Sequence, residues 1–223
     1  MTAKLNWKYT LLIIPTVLAA LALNGFGFFF KSGTAGAGIL IILFTYLKNL
    51  GKTKDIRMII LAFLFSIGGD WFLSHMKGDT GMFVTGITLF FVAHVGYLSF
   101  ALMNGKLKWT FTMVILAGYL LFFFIKLFPS FEDSMLMTAA LIYLLISCFS
   151  LGAAVGIKAS PVVRWSFVLG IVFVLFSDTI ISLKEFVGYD ELNFLILPTY
   201  YLAHISITFA LMKKSEILPE ILI

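Results

Sequence analysis

The segment Trp165–Phe176, with the sequence WSFVLGIVFVLF, contains no charged residue and is followed directly by Ser177 and Asp178. Its side chains lack the regular polar alternation that is typical of a half-buried strand or a membrane barrel strand. A second run of this kind, Ile59–Ile67 (IILAFLFSI), precedes Asp70. Both runs therefore predict apolar helices, and each of these helices has an aspartate just beyond its longest apolar stretch.

The rest of the chain has the composition of an integral membrane protein. Of its 223 residues, 61% are hydrophobic and 12% are charged, whereas about 25% of the residues in a soluble domain are charged. The mean hydropathy is +1.06. A single cysteine, Cys148, permits no internal disulfide. These values exclude a soluble domain, a disordered chain and a small disulfide-stapled scaffold.

Eight apolar segments are each close to the length of about 20 residues that spans a bilayer. Because backbone polar groups in lipid must be paired within the protein, these segments predict an all-α bundle of eight transmembrane helices. We expect residues 1–223 to form a single integral membrane domain. The predicted spans are 8–24, 33–48, 57–75, 81–103, 109–127, 134–157, 161–183 and 193–212.

The basic residues are distributed unevenly between the two sides of this predicted bundle. Of the 16 Lys and Arg residues, twelve fall on the side of the N-terminus, and the other four are Lys31, Lys77, Lys126 and Lys184. The positive-inside rule then predicts that both termini are cytoplasmic in a multi-pass protein of the cell membrane, which is the inner membrane if the source is bacterial. This distribution accounts for the net charge of +5 without a nucleic-acid partner.

Two of the acidic residues lie inside predicted spans. Asp70 belongs to the third span, in FSIGGDWFLS, and Asp178 to the seventh, in FVLFSDTIIS. They follow Arg57 and Arg164 by 13 and 14 residues, which places them at the same depth. An ionised side chain at the centre of a membrane helix costs about 2.5–3.5 kcal/mol, so we predict that both aspartates are functional.

The two halves of the chain have similar short motifs. His94 in FFVAHVGYL and His204 in YYLAHISIT follow the two aspartates at nearly equal spacing. These matches favour an internal repeat of two four-helix units that are related by an axis along the membrane normal. The repeat predicts that Asp70 and Asp178 face each other across a central cavity.

Other polar side chains share helix faces with these four residues. Ser66 and Ser74 lie one turn before and after Asp70, Tyr97 lies on the face of His94, and Tyr200 on that of His204. Each also has an ordinary structural interpretation, since serines in membrane helices commonly bond their own backbone and a single buried histidine is commonly a packing residue.

A metal site is the weaker interpretation of the same residues. Aspartate and histidine are zinc ligands, but no helix carries two of the four acid and histidine side chains at a spacing of three or four residues. We therefore predict no metal and no other cofactor, with a zinc site as the alternative.

The ordered motifs FSIGGDWFLS, FFVAHVGYLSF, VLFSDTIISL and ILPTYYLAH resemble the YhhN-like family of lysoplasmalogenases, from about Lys31 to His204. The resemblance implies an eight-helix hydrolase of the lysoplasmalogen vinyl-ether bond, with Asp70 and Asp178 as its essential acids. The resemblance and the polar helix faces together give the expected substrate-binding residues, which are His94, Tyr97, Tyr200, Tyr201, His204, Lys31, Ser66, Ser74 and Ser177.

The chemistry of this reaction suits two carboxyl groups. A vinyl ether is hydrolysed by protonation on carbon, which requires a neutral acid, and the resulting cation requires a carboxylate and an activated water. The room beside two glycines favours Asp70 as the acid and Asp178 as the base. Lys31 is either a ligand for the phosphate head group or a lysine that extends to the membrane surface.

Two other classes of protein remain as alternatives. Paired acids and histidines between repeated halves are also typical of proton-coupled transporters of ions or small molecules. A structural membrane scaffold is the third interpretation, but it leaves the two buried acids unexplained. For the hydrolase we expect a lysophospholipid substrate and surrounding membrane lipids as partners.

Overall fold

The structure, a computed structural model, describes residues 7–221, with side chains as far as residue 217. Residues 1–6 and 222–223, which include Lys4 of the charge count and both chain ends, lie outside the described residues. Within the described range the chain forms eight α-helices. They are α1 (Ile13–Leu23), α2 (Phe28–Tyr46), α3 (Lys54–His75), α4 (Thr80–Met103), α5 (Trp109–Phe122), α6 (Ser134–Val155), α7 (Pro161–Ser182) and α8 (Ile196–Ile221).

Short irregular helical segments extend several of these helices. A 3₁₀-helix, Trp7–Leu12, leads into α1, and another, Asn193–Leu195, leads into α8. One π-helical turn follows α5 at Phe123–Leu127, and a second follows α7 at Leu183–Val187. Such turns contain an i→i+5 backbone pattern and are frequent at functional sites.

The all-α membrane bundle predicted from composition is confirmed. In the described part of the chain, seven helices are long and apolar enough to cross a membrane, and Trp7–Leu23 is a shorter apolar helix. The predicted spans agree closely with these helices, except that α2 and α3 begin earlier, at Phe28 and Lys54, and α8 continues to Ile221 instead of ending at residue 212. Charged residues in the first turns of α2 and α3, and Lys213 and Lys214 in α8, interrupt an apolar segment but not a helix, which explains the differences.

Most helix–helix contacts in one half of the bundle have counterparts in the other half; the α1–α8 contact lacks a counterpart of similar extent. The α1–α2, α2–α3 and α3–α4 contacts have counterparts in α5–α6, α6–α7 and α7–α8, and the α4–α6 contact has its counterpart in α8–α2. The most extensive contacts are α3–α4 and α7–α8. This pattern is what a parallel duplication of four helices would give, and it favours the predicted repeat.

Contacts between helix termini define two ends of the bundle. At one end, Lys214 of α8 forms an ion pair with Asp55 of α3 and donates to Asn104, which follows α4. At the other end, Lys31 of α2 donates to Ser74 of α3. We call these the Lys214 end and the Lys31 end; the charge distribution predicts that the Lys214 end is cytoplasmic.

We expect Lys214→Met to lower the free energy of unfolding by about 1–3 kcal/mol, because it leaves the Asp55 carboxylate without its cation. The Asp55 side chain is only 14% exposed, so water replaces this partner poorly. Thermal unfolding of the purified protein in detergent measures the loss. Lys213→Met, which removes a lysine that is 33% exposed, serves as the control, and equal losses from the two variants would contradict the expectation.

At the Lys214 end, the loop after α4 pairs with the loop after α6. The Lys106 amide donates to the Gly156 carbonyl at 3.2 Å, and the Lys158 amide donates to the Asn104 carbonyl at 2.8 Å. A Cβ on Gly156 would overlap the Lys106 carbonyl. Glycine is therefore required here by the close approach of two backbones.

Candidate active site

Asp70 lies on α3 among polar groups from α2 and α8. The Tyr200 hydroxyl donates to Asp70 Oδ2 at 2.9 Å, and Lys31 Nζ lies 3.7 Å from Oδ1. Lys31 also donates to Ser74 Oγ at 2.8 Å, one helical turn beyond the aspartate. Asp70 is only 3% exposed, so these side chains, and not solvent, satisfy its carboxyl group.

Asp178 lies on α7 in a second polar cluster with partners from α4 and α6. The Tyr143 hydroxyl donates to Asp178 Oδ2 at 2.6 Å, and His94 Nε2 lies 3.6 Å from the same oxygen. The ring of His94 meets that of Tyr143 edge to face, with centroids 5.2 Å apart. A histidine therefore lies beside Asp178, and it comes from the other half of the chain.

Tyr97 connects the two clusters. Its ring packs edge to face on His94 at 5.7 Å, and its hydroxyl is 3.5 Å from Ser66 Oγ, one turn before Asp70. Tyr97 therefore contacts a residue of the Asp178 cluster and a residue one turn from Asp70.

A cavity of about 80 Å³ opens beside Asp178, between α4, α5, α6 and α7. Asp178 and Tyr143 are part of its wall, and so is Phe90. The Phe90 ring packs on Tyr200 at 6.1 Å and leaves no room for a Cβ on Gly69. Both aspartates were expected to face one cavity, but Asp178 lines this one and Asp70 does not; α3 contributes Leu73 to the wall instead.

The other predicted site residues lie at helix contacts beyond the two clusters. His204 is fully buried between the rings of Phe63 and Tyr200, at 4.7 and 4.5 Å. Among the described residues, neither its ring nitrogens nor the buried Tyr201 hydroxyl has a hydrogen-bond partner. Ser177 donates to the Ile196 carbonyl at 3.1 Å and so links α7 to α8.

Tyr143 is the site residue that sequence reasoning missed. A depth argument would have found it, because it lies nine residues after the start of α6, and Asp178 lies nine residues before the end of the π-helical turn at Val187. The two side chains therefore lie at the same level on antiparallel helices. No motif includes Tyr143, since it belongs to neither repeated segment.

In the range that the structure describes, no three side chains of His, Cys, Asp or Glu come close enough together to hold a metal ion. Asp178 has one histidine beside it, and Asp70 has an ammonium group, which disfavours a bound cation at that position. The zinc alternative therefore gains no support from this geometry.

A family model, that of the YhhN family, matches residues 9–211. The chain belongs to the YhhN family. The match includes both aspartates and every side chain of the two clusters, and the YhhN family includes lysoplasmalogenases. Neither the curated proteins nor the solved structures that were compared gave a match.

Proposed function

We propose that this protein is a lysoplasmalogenase-like hydrolase of the cell membrane. It would cleave the vinyl-ether bond of a lysoplasmalogen, or a related single-chain ether lysolipid, to a fatty aldehyde and a glycerophospho head group. Membership in the YhhN family supports a hydrolase of this kind. The observation that carries the proposal is a membrane-buried carboxyl group, Asp178, hydrogen-bonded by Tyr143 on the wall of an otherwise largely apolar cavity.

The reaction needs one proton donor and one proton acceptor. A carboxylic acid protonates the vinyl carbon that is not bonded to oxygen, and the electron pair of the double bond forms the new C–H bond. The resulting oxocarbenium ion adds water, whose proton passes to a carboxylate. The hemiacetal then collapses to an aldehyde and the glycerol hydroxyl, so that one water molecule is consumed and both carboxyl groups are restored after proton exchange.

We assign the base role to Asp178 and the acid role to Asp70. Asp178 accepts from Tyr143 on the wall of the cavity, where a carboxylate would steady the cation and orient water. Asp70 is enclosed, and its cation Lys31 is also bonded to Ser74 at the Lys31 end. A phosphate head group that binds Lys31 would draw the ammonium charge away from Asp70 and so favour its neutral form.

We expect Tyr143→Phe to lower turnover by about 10–100-fold. The 2.6 Å hydrogen bond to Asp178 is charge-assisted, and such bonds contribute about 1.5–3 kcal/mol, with tenfold in rate for each 1.4 kcal/mol. Aldehyde release by the purified variant measures the effect.

Tyr119→Phe is the matched control for this experiment. Tyr119 lines the same cavity, and its hydroxyl bonds Thr179 Oγ1 at 3.0 Å instead of a carboxylate. We expect this variant to keep turnover within about twofold of the wild type, since the bond is neutral and partly exposed. A loss of equal size in both variants would show that the Tyr143 hydroxyl has no special relation to the reacting group.

Substrate discrimination tests the proposed function itself. The purified protein is given a lysoplasmalogen, its saturated 1-O-alkyl analogue and the corresponding 1-acyl lysophospholipid at equal concentration. We expect aldehyde from the vinyl ether and no cleavage of the alkyl ether, because a saturated ether cannot form the cation by protonation on carbon. Release of fatty acid from the acyl lipid at a comparable rate would contradict the proposal in favour of an esterase.

A further inference from the structure

The cavity beside Asp178 is elongated along the helix axes. Its wall on α7 extends from Leu175 to the π-helical residue Phe186, and its wall on α4 extends from Phe90 to Phe83. Eleven residues of helix cover about 16 Å at 1.5 Å per residue. The long axis therefore points toward the Lys31 end of the bundle, where α4 begins and α7 ends.

Asp178 lies toward one end of this cavity. From Asp178 to Phe186 is eight residues, or about 12 Å of helix. The three hydroxyl side chains on the wall of α6 and α7 are already bonded to their own helices: Ser147 donates to the Tyr143 carbonyl, Thr179 to the Leu175 carbonyl and Ser182 to the Thr179 carbonyl. The Tyr119 hydroxyl, which also lies on the wall, is bonded to Thr179 Oγ1. Beyond Asp178 and Tyr143, each hydroxyl group of the wall therefore already has a partner within the protein, and the rest of the wall is apolar.

An aromatic cluster closes the end of the cavity that is remote from Asp178. The Phe186 ring packs against Phe83 at 5.7 Å and against Phe131 at 4.6 Å. Phe186 lies in the π-helical turn that follows α7. The π-helical turn after α5 contacts this turn and contributes Leu127 to the wall of the cavity. The position of Phe186 is therefore determined by the irregular ends of two helices and not by the bundle core.

We propose that this cavity binds the hydrocarbon chain of a single-chain lipid, with the functional group at Asp178 and the far end of the chain against Phe186. Phe186 is then the residue that sets the longest chain accepted. That the group at Asp178 is a vinyl ether rests on the proposed function. That a hydrocarbon chain occupies the cavity and extends toward Phe186 rests on the shape and lining of the cavity. Three observations select this occupant: the cavity lies within membrane-spanning helices, its wall is apolar over about 12 Å, and its carboxyl group lies at one end only.

The direction of the chain follows from the same geometry. The polar part of the lipid cannot occupy the Phe186 end, because Phe83, Phe186 and Leu127 offer no hydrogen-bond partner there. It extends from Asp178 toward Asp70 and Lys31, where a cation is present. Because Lys31 and Phe186 lie toward the same end of the bundle, the bound lipid bends at Asp178.

The test measures binding without turnover. Saturated 1-O-alkyl lysophospholipids with hexyl, octyl, decyl, dodecyl and tetradecyl chains are titrated, below their critical micelle concentrations, into purified wild-type protein and into the Phe186→Ala and Phe186→Trp variants, and dissociation constants are obtained from thermal stabilisation. Each methylene that passes from water into the cavity should tighten binding by up to about fourfold, until the chain reaches Phe186 and the gain stops. We expect this limit at a longer chain in Phe186→Ala and at a shorter chain in Phe186→Trp.

Phe194→Ala is the matched control, since Phe194 is 70% exposed and lies just before α8 at the Lys31 end; its limit should equal that of the wild type. Opposite shifts in the two Phe186 variants cannot result from a general loss of folding. If the chain length at which the gain in affinity stops is the same in the wild type and all three variants, the proposal is wrong. Equal affinity for every chain length, which a water-filled proton pathway predicts, would also overturn it. If the limits shift but no vinyl ether is hydrolysed, the chain site stands and the proposed function fails.

Discussion

Asp70→Asn and Asp178→Asn are each expected to lower vinyl-ether hydrolysis by about 10²–10⁴-fold, the range for loss of a general acid or base. Each amide keeps the size of the carboxyl group and can still accept from Tyr200 or Tyr143, so folding and lipid binding should persist. An amide cannot give or take the proton. Aldehyde release measures the loss, and binding of a 1-O-alkyl lysophospholipid verifies that each variant still holds its ligand.

The double variant distinguishes a shared site from two separate ones. If both aspartates serve one reaction, the double variant should be scarcely slower than either single variant, because groups that act as a unit are strongly non-additive. The wild-type rate should be bell-shaped in pH, as expected for one acid and one base. Asp190→Asn, an exposed aspartate in the loop before α8, should keep full activity. Near-normal turnover in either single variant would refute the two-carboxylate mechanism.

Gly156→Ala is expected to lower the free energy of unfolding by about 2–3 kcal/mol, at the upper end of the cost of overpacking. Its φ of −87° is open to any residue, so the cost is steric. The new Cβ would overlap the Lys106 carbonyl and would separate the paired loops after α4 and α6. The loss is measured by thermal or denaturant unfolding in detergent.

Gly118→Ala is the control for this substitution. Gly118 lies inside α5 with no heavy atom within 4 Å of the position that a Cβ would take. Alanine is about 1 kcal/mol more favourable than glycine in a helix interior, so this variant should be unchanged or slightly more stable. Equal destabilisation by the two substitutions would show that the contact between the loops contributes little.

The fold was predictable from the sequence because the bilayer leaves few alternatives. Apolar segments of the right length must be helices in lipid, and their positions agree with the observed ones to within a few residues except at the end of α8, which continues beyond Lys213 and Lys214 to Ile221. The early starts of α2 and α3 were missed because Lys31 and Asp55 are charged, and an apolar-segment criterion stops at such residues. Helix formation itself tolerates both, since Asp55 lies in the first turn of α3.

The candidate site was predictable only as far as the repeat is symmetrical. Depth and motif spacing predicted the two aspartates, and the helix face shared with His204, together with the resemblance, predicted Tyr200, which donates to Asp70. In the aligned motifs FFVAHVGYL and YYLAHISIT, Phe90 is the counterpart of Tyr200, and it has no hydroxyl to offer Asp178. Tyr143 on α6 supplies that hydroxyl instead. A departure from symmetry of this kind depends on side-chain packing between helices, which motif spacing does not report.

The observed contacts of Lys31 and His204 also depend on side-chain packing that the sequence does not report. Lys31 was expected near the head group, and it contacts both Asp70 and Ser74. His204 was expected in the site because of its match to His94, but its ring is enclosed by Phe63 and Tyr200. Only the rotation of each helix determines which side chain reaches the carboxyl groups.

The measurement that tests the central claim most directly is hydrolysis of a lysoplasmalogen by the purified protein in deuterated water. The released aldehyde is reduced immediately to the alcohol, and the deuterium content of the alcohol is measured by mass spectrometry. Protonation on carbon predicts one deuterium on the carbon next to the former carbonyl, in amounts that follow the enzyme concentration and that are lost in Asp70→Asn and Asp178→Asn. Release of aldehyde without this deuterium, or at the same rate from both variants, would contradict acid–base catalysis by the two aspartates.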